Sequence, residues 1–303
     1  MSTSPGRPKA GSLPLGGMER SAQEAAVSAR LVTDAPLAHL RWAPAAGMAD
    51  RPPVLLLHGI GGGRQAWGDA GSATGAALAA AGHLTLAVDF PGYGRSPTIE
   101  PFDLAGLARS VITLIDQLDA GPVVLVGHSM GGMVAQELAA LAPDRLAGLV
   151  LASTSPAFGK PGGDWQQAFL QDRFAPLDAG LGMAGLAAQL VPAMVAPGTA
   201  LPLLAAAQAL MAAVPEATYR SAVTALLSFD RRAHLPAIAV PTLVTTGEHD
   251  RTAPPEVSRR MAERIPGASC STVPGAGHLL NLEQPQAFNA ALLAHLPRCA
   301  AAR

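Results

Sequence analysis

The amino-acid sequence predicts an α/β fold: a mostly parallel, doubly wound sheet with an inserted helical piece. Three observations lead there. Short apolar runs alternate with helix-period segments in both halves of the chain, the pattern of βαβ units. Residues 153 to about 230 break that alternation and hold no strand-like run. An apolar run at residues 123–126, "VVLV", turns straight into a helix through Gly127-His128-Ser129-Met130-Gly131.

Taken in order, "VLLL" at 54–57 predicts a buried strand ending at His58-Gly59, and "LTLAV" at 84–88 a second, closed by Pro91-Gly92. Residues 102–118, "FDLAGLARSVITLIDQL", carry apolar side chains at helical spacing, with Asp103 in the first turn. The run at 123–126 is the third strand, and 130–141 the helix after it. Residues 149–152 form a fourth strand. The middle, rich in Ala, Leu, Met, Gly and Pro, reads as short helices. Strand signals return at 240–246, followed by a helix at 255–264, a strand at 269–273 and a final helix at 285–296. The expected division is a core of residues 26–155 and 231–303, with a helical lid (cap) at 156–230. In open α/β sheets ligands bind at the carboxyl ends of the strands. The insertion leaves from that edge, so it is expected to cover the site.

Composition narrows the function. At 303 residues, with 49% hydrophobic and 14% charged, the chain can bury a large core. A net charge of −1, with Lys only at Lys9 and Lys160 and no basic cluster, argues against a nucleic-acid partner. Cys270 and Cys299 make no disulfide framework and suggest a reducing compartment, so a cytoplasmic protein is expected. Residues 1–25 are rich in Pro, Gly and Ser, lack the apolar core of a signal peptide and predict a disordered lead-in. The most apolar long stretch, 180–214, is broken by Pro192, Pro197 and Pro202, so no membrane span is expected.

The serine at 129 fits G-x-S-x-G between a strand and a helix. Such a reversal strains the serine backbone and crowds its neighbours, which Gly127 and Gly131 relieve. The hydroxyl then stands clear at a helix N-terminus, where free N–H groups suit a developing oxyanion. A hydroxyl needs a base, and the base an orienting acid, in the order Ser, Asp or Glu, His. His278, in the Gly-rich loop "PGAGHLL" after a strand, is the expected base; His295 lies inside the last helix and reads as a surface residue, and His234 sits before a strand, on the wrong edge. In "TTGEHDRTAPP", Asp250 is the preferred acid and Glu248 the alternative. The backbone N–H groups of Met130 and of Ile60, in "HGIGGGRQAW", are the expected oxyanion donors. That loop lacks G-K-[ST] and has Arg64 where a dinucleotide loop has its third Gly, so it is no phosphate cradle.

These pieces, "LLLHGIGGG", "DFPGYGRS", "GHSMGG", "GEHD" and "GHLLNLEQP", resemble the α/β-hydrolase family over residues 31–296. The last third looks most like bacterial enol-lactonases of aromatic catabolism and their esterase relatives. The resemblance implies an α/β-hydrolase fold in which Trp67 packs beneath the oxyanion loop and residues 89–96 form a structural turn. It implies a serine hydrolase of carboxylic esters or lactones, without cofactor or metal, acting on a small molecule as a monomer or homodimer. Related dehalogenases and epoxide hydrolases carry Asp where this chain has Ser129. C–C bond hydrolysis and cofactor-free perhydrolysis use the same triad and stay open, as does a ligand-binding role on the same fold. Pocket candidates are His128 and Leu279, beside the nucleophile and base, and Phe169, Arg173, Met183 and Met211 from the insertion, with Met194, Leu186, Leu190 and Phe174 as further apolar candidates. Arg173 stands out because a dicarboxylate-derived lactone needs a cation nearby. Arg231 and Arg232 read as surface charges.

Overall fold

The computed structural model describes Met1 and residues 28–44, 51–68 and 72–300. The expected lead-in at 1–25 lies outside the described residues, apart from Met1. Among the described residues eight strands form one sheet: β1 (Arg30–Val32), β2 (His39–Trp42), β3 (Val54–Leu57), β4 (Thr85–Val88), β5 (Val123–His128), β6 (Leu146–Ala152), β7 (Thr242–Gly247) and β8 (Ser269–Val273). Their order is β1-β2-β4-β3-β5-β6-β7-β8. From β4 to β8 neighbours run parallel, whereas β2 pairs antiparallel with β4 and with β1. The sheet is therefore mixed. The two antiparallel strands were not expected, because β1 has three residues and β2 reads His-Leu-Arg-Trp, without an apolar run.

The central strands are runs of Val and Leu because both of their faces are covered. Every residue of β3, β4, β5 and β6 is buried. One face packs against α2 (Leu104–Leu118), α3 (Met130–Leu141) and α8 (Pro255–Arg264), which follow the expected helical periods. Asp103 caps α2 from just outside it, its carboxylate accepting the Gly106 N–H at 2.6 Å. The other face packs against α1 (Thr74–Ala80) and α10 (Pro285–Ala300). His295 sits on the buried stripe of α10 that includes Phe288, Leu292, Leu296 and Cys299, so it is a core residue and not the surface residue expected from sequence. The short α9 (Leu280–Glu283) precedes α10.

Four helices lie between β6 and β7: α4 (Asp164–Asp178), α5 (Gly182–Met194), α6 (Leu201–Ala212) and α7 (Glu216–Leu226). A lone bridge between Ala157 and Asp230 draws the two ends of this segment together. Arg231, at its exit, is more than a surface charge: its Nε donates to buried Glu137 on α3 at 2.9 Å. Arg232 is exposed and pairs with Asp230. Among the described residues no single helix is long and apolar enough to cross a membrane.

The strand order reverses beside β3: β4 lies on one side and β5 on the other. The loops leaving β3 and β5 thus part at the carboxyl edge and open a crevice between them. The loop after β3 is pinned from below. Arg64, only 9% exposed, forms an ion pair with fully buried Asp89, whose carboxylate also accepts the Arg64 N–H at 2.9 Å. The Asp89 carbonyl accepts the Ser96 hydroxyl at 2.7 Å, closing the Asp89-to-Ser96 turn. Asp89→Ala leaves the guanidinium buried without its partner and should lower the unfolding free energy by about 3–5 kcal/mol in urea titrations. A loss below about 1 kcal/mol would mean that Arg64 behaves as a solvated surface charge.

Candidate active site

Ser129 stands alone between β5 and α3, at φ +54° and ψ −118°, in the left-handed half of backbone space where side chains are strained. The glycines around it act by closeness. A side-chain carbon on Gly127 would collide with the Gly131 carbonyl, and one on Gly131 with the Leu57 carbonyl of β3. The turn is tied down by the Ser129 N–H donating to the Ala152 carbonyl at 2.9 Å and by the Thr154 hydroxyl donating to the Ser129 carbonyl at 2.8 Å. This leaves the Ser129 hydroxyl at the N-terminus of a 12-residue helix.

The loops after β7 and β8 bring Asp250 and His278 to it. His278 Nε2 lies 3.0 Å from Ser129 Oγ, and its Nδ1 lies 3.1 and 3.0 Å from the two Asp250 oxygens. The carboxylate fixes the proton on Nδ1, so Nε2 accepts from the serine hydroxyl. Asp250 is 3% exposed and its Oδ1 accepts the N–H groups of Thr252 and Ala253, each at 2.8 Å. Burial opposes its charge, but neighbouring His278 and the hydrogen bonds outweigh that, holding the carboxyl below its usual pKa. Glu248, the alternative acid, is exposed and accepts the Gly275 N–H instead. His234 caps a short turn before β7 and lines no part of the crevice.

Ile60 and Met130 border the same crevice. Met130 opens α3, so its N–H has no partner within the helix. The Ile60 N–H is oriented by a residue that sequence reasoning left unassigned. His58 Nε2 accepts the Phe90 N–H at 3.1 Å, so its Nδ1–H donates to the Gly59 carbonyl, 2.8 Å away. That carbonyl also accepts the Gly62 N–H at 3.0 Å. A peptide unit is planar, and holding the Gly59 carbonyl therefore sets the direction of the Ile60 N–H. Tyr93 adds a hydroxyl donated to the Ile60 carbonyl at 3.0 Å. Trp67, fully buried, lies on the crevice wall below.

Glu283 is a second residue the sequence did not single out. Its carboxylate accepts the N–H groups of Gly277 (3.0 Å) and Leu279 (3.1 Å), on either side of His278. It also accepts the Ala196 N–H at 2.7 Å and the Thr199 hydroxyl at 3.2 Å, from the segment after α5. The His278 N–H itself donates to the Met194 carbonyl at 2.7 Å. The only sequence signal was an acid five residues past the candidate base, inside "GHLLNLEQP".

Above the serine is a cavity of about 390 Å3, enough for a small organic ligand. His128, Leu279, Phe169, Arg173, Met211, Leu190 and Met194 line it. Met183 does not, and neither do Leu186 and Phe174. Met183 lies eleven residues before Met194 on α5, roughly 16 Å along the helix, and packs among the inserted helices. Arg173 is half-buried on the cavity wall.

His128 Nε2–H donates to the His278 carbonyl at 2.8 Å. Burial, then the nearness of His278, pushes its pKa down to about 3. An unfolded chain protonates this side chain near pH 6.5; the folded one does so only near 3. The unfolded state binds more protons in that window, so this contribution is complete above pH 6.5 and shrinks as the pH falls. His128→Asn should flatten the fall in unfolding free energy between pH 6 and 4 by up to about 1.4 kcal/mol per pH unit. Equal slopes in urea titrations of the two proteins would place a charged imidazole in the fold.

Comparison with known proteins agrees with this architecture. The model of the alpha/beta hydrolase family matches residues 54–291. The protein assigned as the carbamate hydrolase RutD of Variovorax paradoxus is 34% identical over 261 residues, 84% of this chain and 95% of that one. The 3-oxoadipate enol-lactonase 2 of Acinetobacter baylyi is 27% identical, over 83% of this chain and 91% of its own. An esterase of Thermogutta terrifontis, solved with malate bound, superposes at a TM-score of 0.76 and 26% identity, covering 90% of this chain and 99% of that chain. The family match spans β3 to β8, the serine turn and the loops that carry Asp250 and His278, and the chain belongs to the α/β-hydrolase family.

Proposed function

We propose that the chain is a serine hydrolase that cleaves a carboxylic ester or lactone through an acyl-enzyme. The observation that carries this reading is the unbroken line from Ser129 Oγ to His278 Nε2 and from His278 Nδ1 to Asp250. Ser129 attacks the carbonyl carbon while His278 takes its proton. Asp250 keeps the imidazole in the tautomer that can accept it and stabilises the cation that forms. Negative charge gathers on the carbonyl oxygen, where the Ile60 and Met130 N–H groups meet it; a donor in such a position is worth about 3–4 kcal/mol in other hydrolases. His278 then passes its proton to the leaving alkoxide, and the same imidazole activates the water that releases the acid. The helices α4 to α7 serve as the lid over this step, since they supply much of the cavity wall. Free Cys270 and Cys299 suit a reducing compartment, and the reading includes a cytoplasmic location.

The likeness to RutD proteins raises a second reading, a carbamate. Its carbonyl carbon would meet Ser129 in the same way, with nitrogen in place of the acyl carbon.

The test is a stopped-flow burst assay with p-nitrophenyl acetate, butyrate and octanoate, with p-nitrophenyl carbamate as a separate arm. Ser129→Ala and His278→Ala should each lower kcat by at least about a thousandfold while the melting temperature stays within a few degrees. Full turnover by either variant would sink the assignment. Release from the carbamate alone would favour the second reading.

A further inference from the structure

Arg173 is the one Lys, Arg, Asp or Glu side chain on the cavity wall among the described residues. It projects from α4, and its guanidinium carbon lies over the Phe169 ring, 3.4 Å from the centroid. Nη1 donates to the Phe169 carbonyl at a long 3.4 Å, and the Tyr219 hydroxyl from α7 is close enough to favour the same charge. No ion pair is formed by it among the described residues. Its neighbour Asp172 is exposed and is not on the cavity wall.

A cation held partly out of water loses hydration that only an anion or several good acceptors return. Here the acceptors are one long carbonyl contact, a phenol and an aromatic face. Two other buried or half-buried arginines have carboxylates: Arg64 has Asp89 and Arg231 has Glu137. Arg173 is left with its planar fork beside an open cavity, the arrangement that receives a carboxylate through two parallel hydrogen bonds. Tyr219 adds a donor. Burial pushes its pKa up to about 12 even with the Arg173 charge nearby pulling it down, so the phenol keeps its own proton to offer.

We propose that the cavity is built for an ester or lactone that carries a free carboxylate, received by Arg173 and Tyr219 while Ser129 attacks the acyl carbon. Among the described residues the cavity wall carries one arginine and no acid, which matches a monoanion. This inference rests on the serine-hydrolase reading above.

The test compares p-nitrophenyl hydrogen glutarate with its neutral methyl ester, using the full chain and Arg173→Met, Arg173→Lys and Arg173→Gln. Wild type should favour the anion by at least about tenfold in kcat/KM, chiefly through KM, and added salt should narrow that preference. Arg173→Met and Arg173→Gln should abolish it and Arg173→Lys keep part of it. Equal rates on the two esters in wild type, or a preference untouched in a folded Arg173→Met, would overturn the proposal. Binding is read separately: glutarate should raise the melting temperature of Ser129→Ala and leave Ser129→Ala/Arg173→Met unchanged. Ester turnover without preference for the anion defeats this inference alone. No turnover of any ester, with glutarate still bound through Arg173, defeats the hydrolase reading and leaves the carboxylate site standing.

Discussion

Gly127 and Gly131 face each other across the β5–α3 turn with no room for a side-chain carbon on either, and Gly131 also abuts the Leu57 carbonyl of β3. That closeness lets the strand reverse into a helix within one residue and holds Ser129 in a strained backbone conformation. The rest of the carboxyl edge is arranged around the resulting hydroxyl. The loop after β3 passes so near that Gly59 has His128 and Ser129 as immediate neighbours. The loops after β7 and β8 come in from the other side with Asp250 and His278. Strain at one residue is thus supported by packing spread over four strands, which is why so local a distortion persists.

The sequence made the parallel core plain, because strands buried on both faces must be written almost wholly in Val, Leu and Ala. The G-x-S-x-G turn and the order Ser, Asp, His were equally legible, since each is a local pattern. What stayed hidden depends on partners far away in the chain. β1 and β2 are short and carry no apolar run, and only the pairing of β2 with β4 and of β1 with β2 makes them strands. His295 looked like a surface residue because its own helix ends in charge and small residues, while the stripe that buries it is set by the sheet beneath. Met183 and Met211 cannot be told apart by composition; their places along α5 and α6 decide which one meets the cavity. His58 and Glu283 act on backbone groups, and no residue-type pattern announces a side chain that orients someone else's peptide.

The electrostatics of the crevice are uneven. Three imidazoles, His58, His128 and His278, crowd around the serine. Two of them are held neutral by burial: His58 and His128 both have pKa values lowered from the usual histidine range. Each also spends its single N–H on a carbonyl, of Gly59 and of His278. Between them runs the hydrogen bond from Ser129 to His278, with Asp250 behind the ring and Arg173 elsewhere on the cavity wall.

Glu283 and the Met194 carbonyl join the loop of His278 to the far end of α5 by several hydrogen bonds. The core and the inserted helices therefore do not form separable modules at that seam. A chimera that grafts a relative's helices onto this sheet inherits a foreign partner for the Gly277–Leu279 backbone unless residues 194–199 travel with Glu283. Recombination between family members has workable crossover points near Ala157 and Asp230, where a single bridge closes the segment, and has a hidden third junction inside it that any exchange must also match.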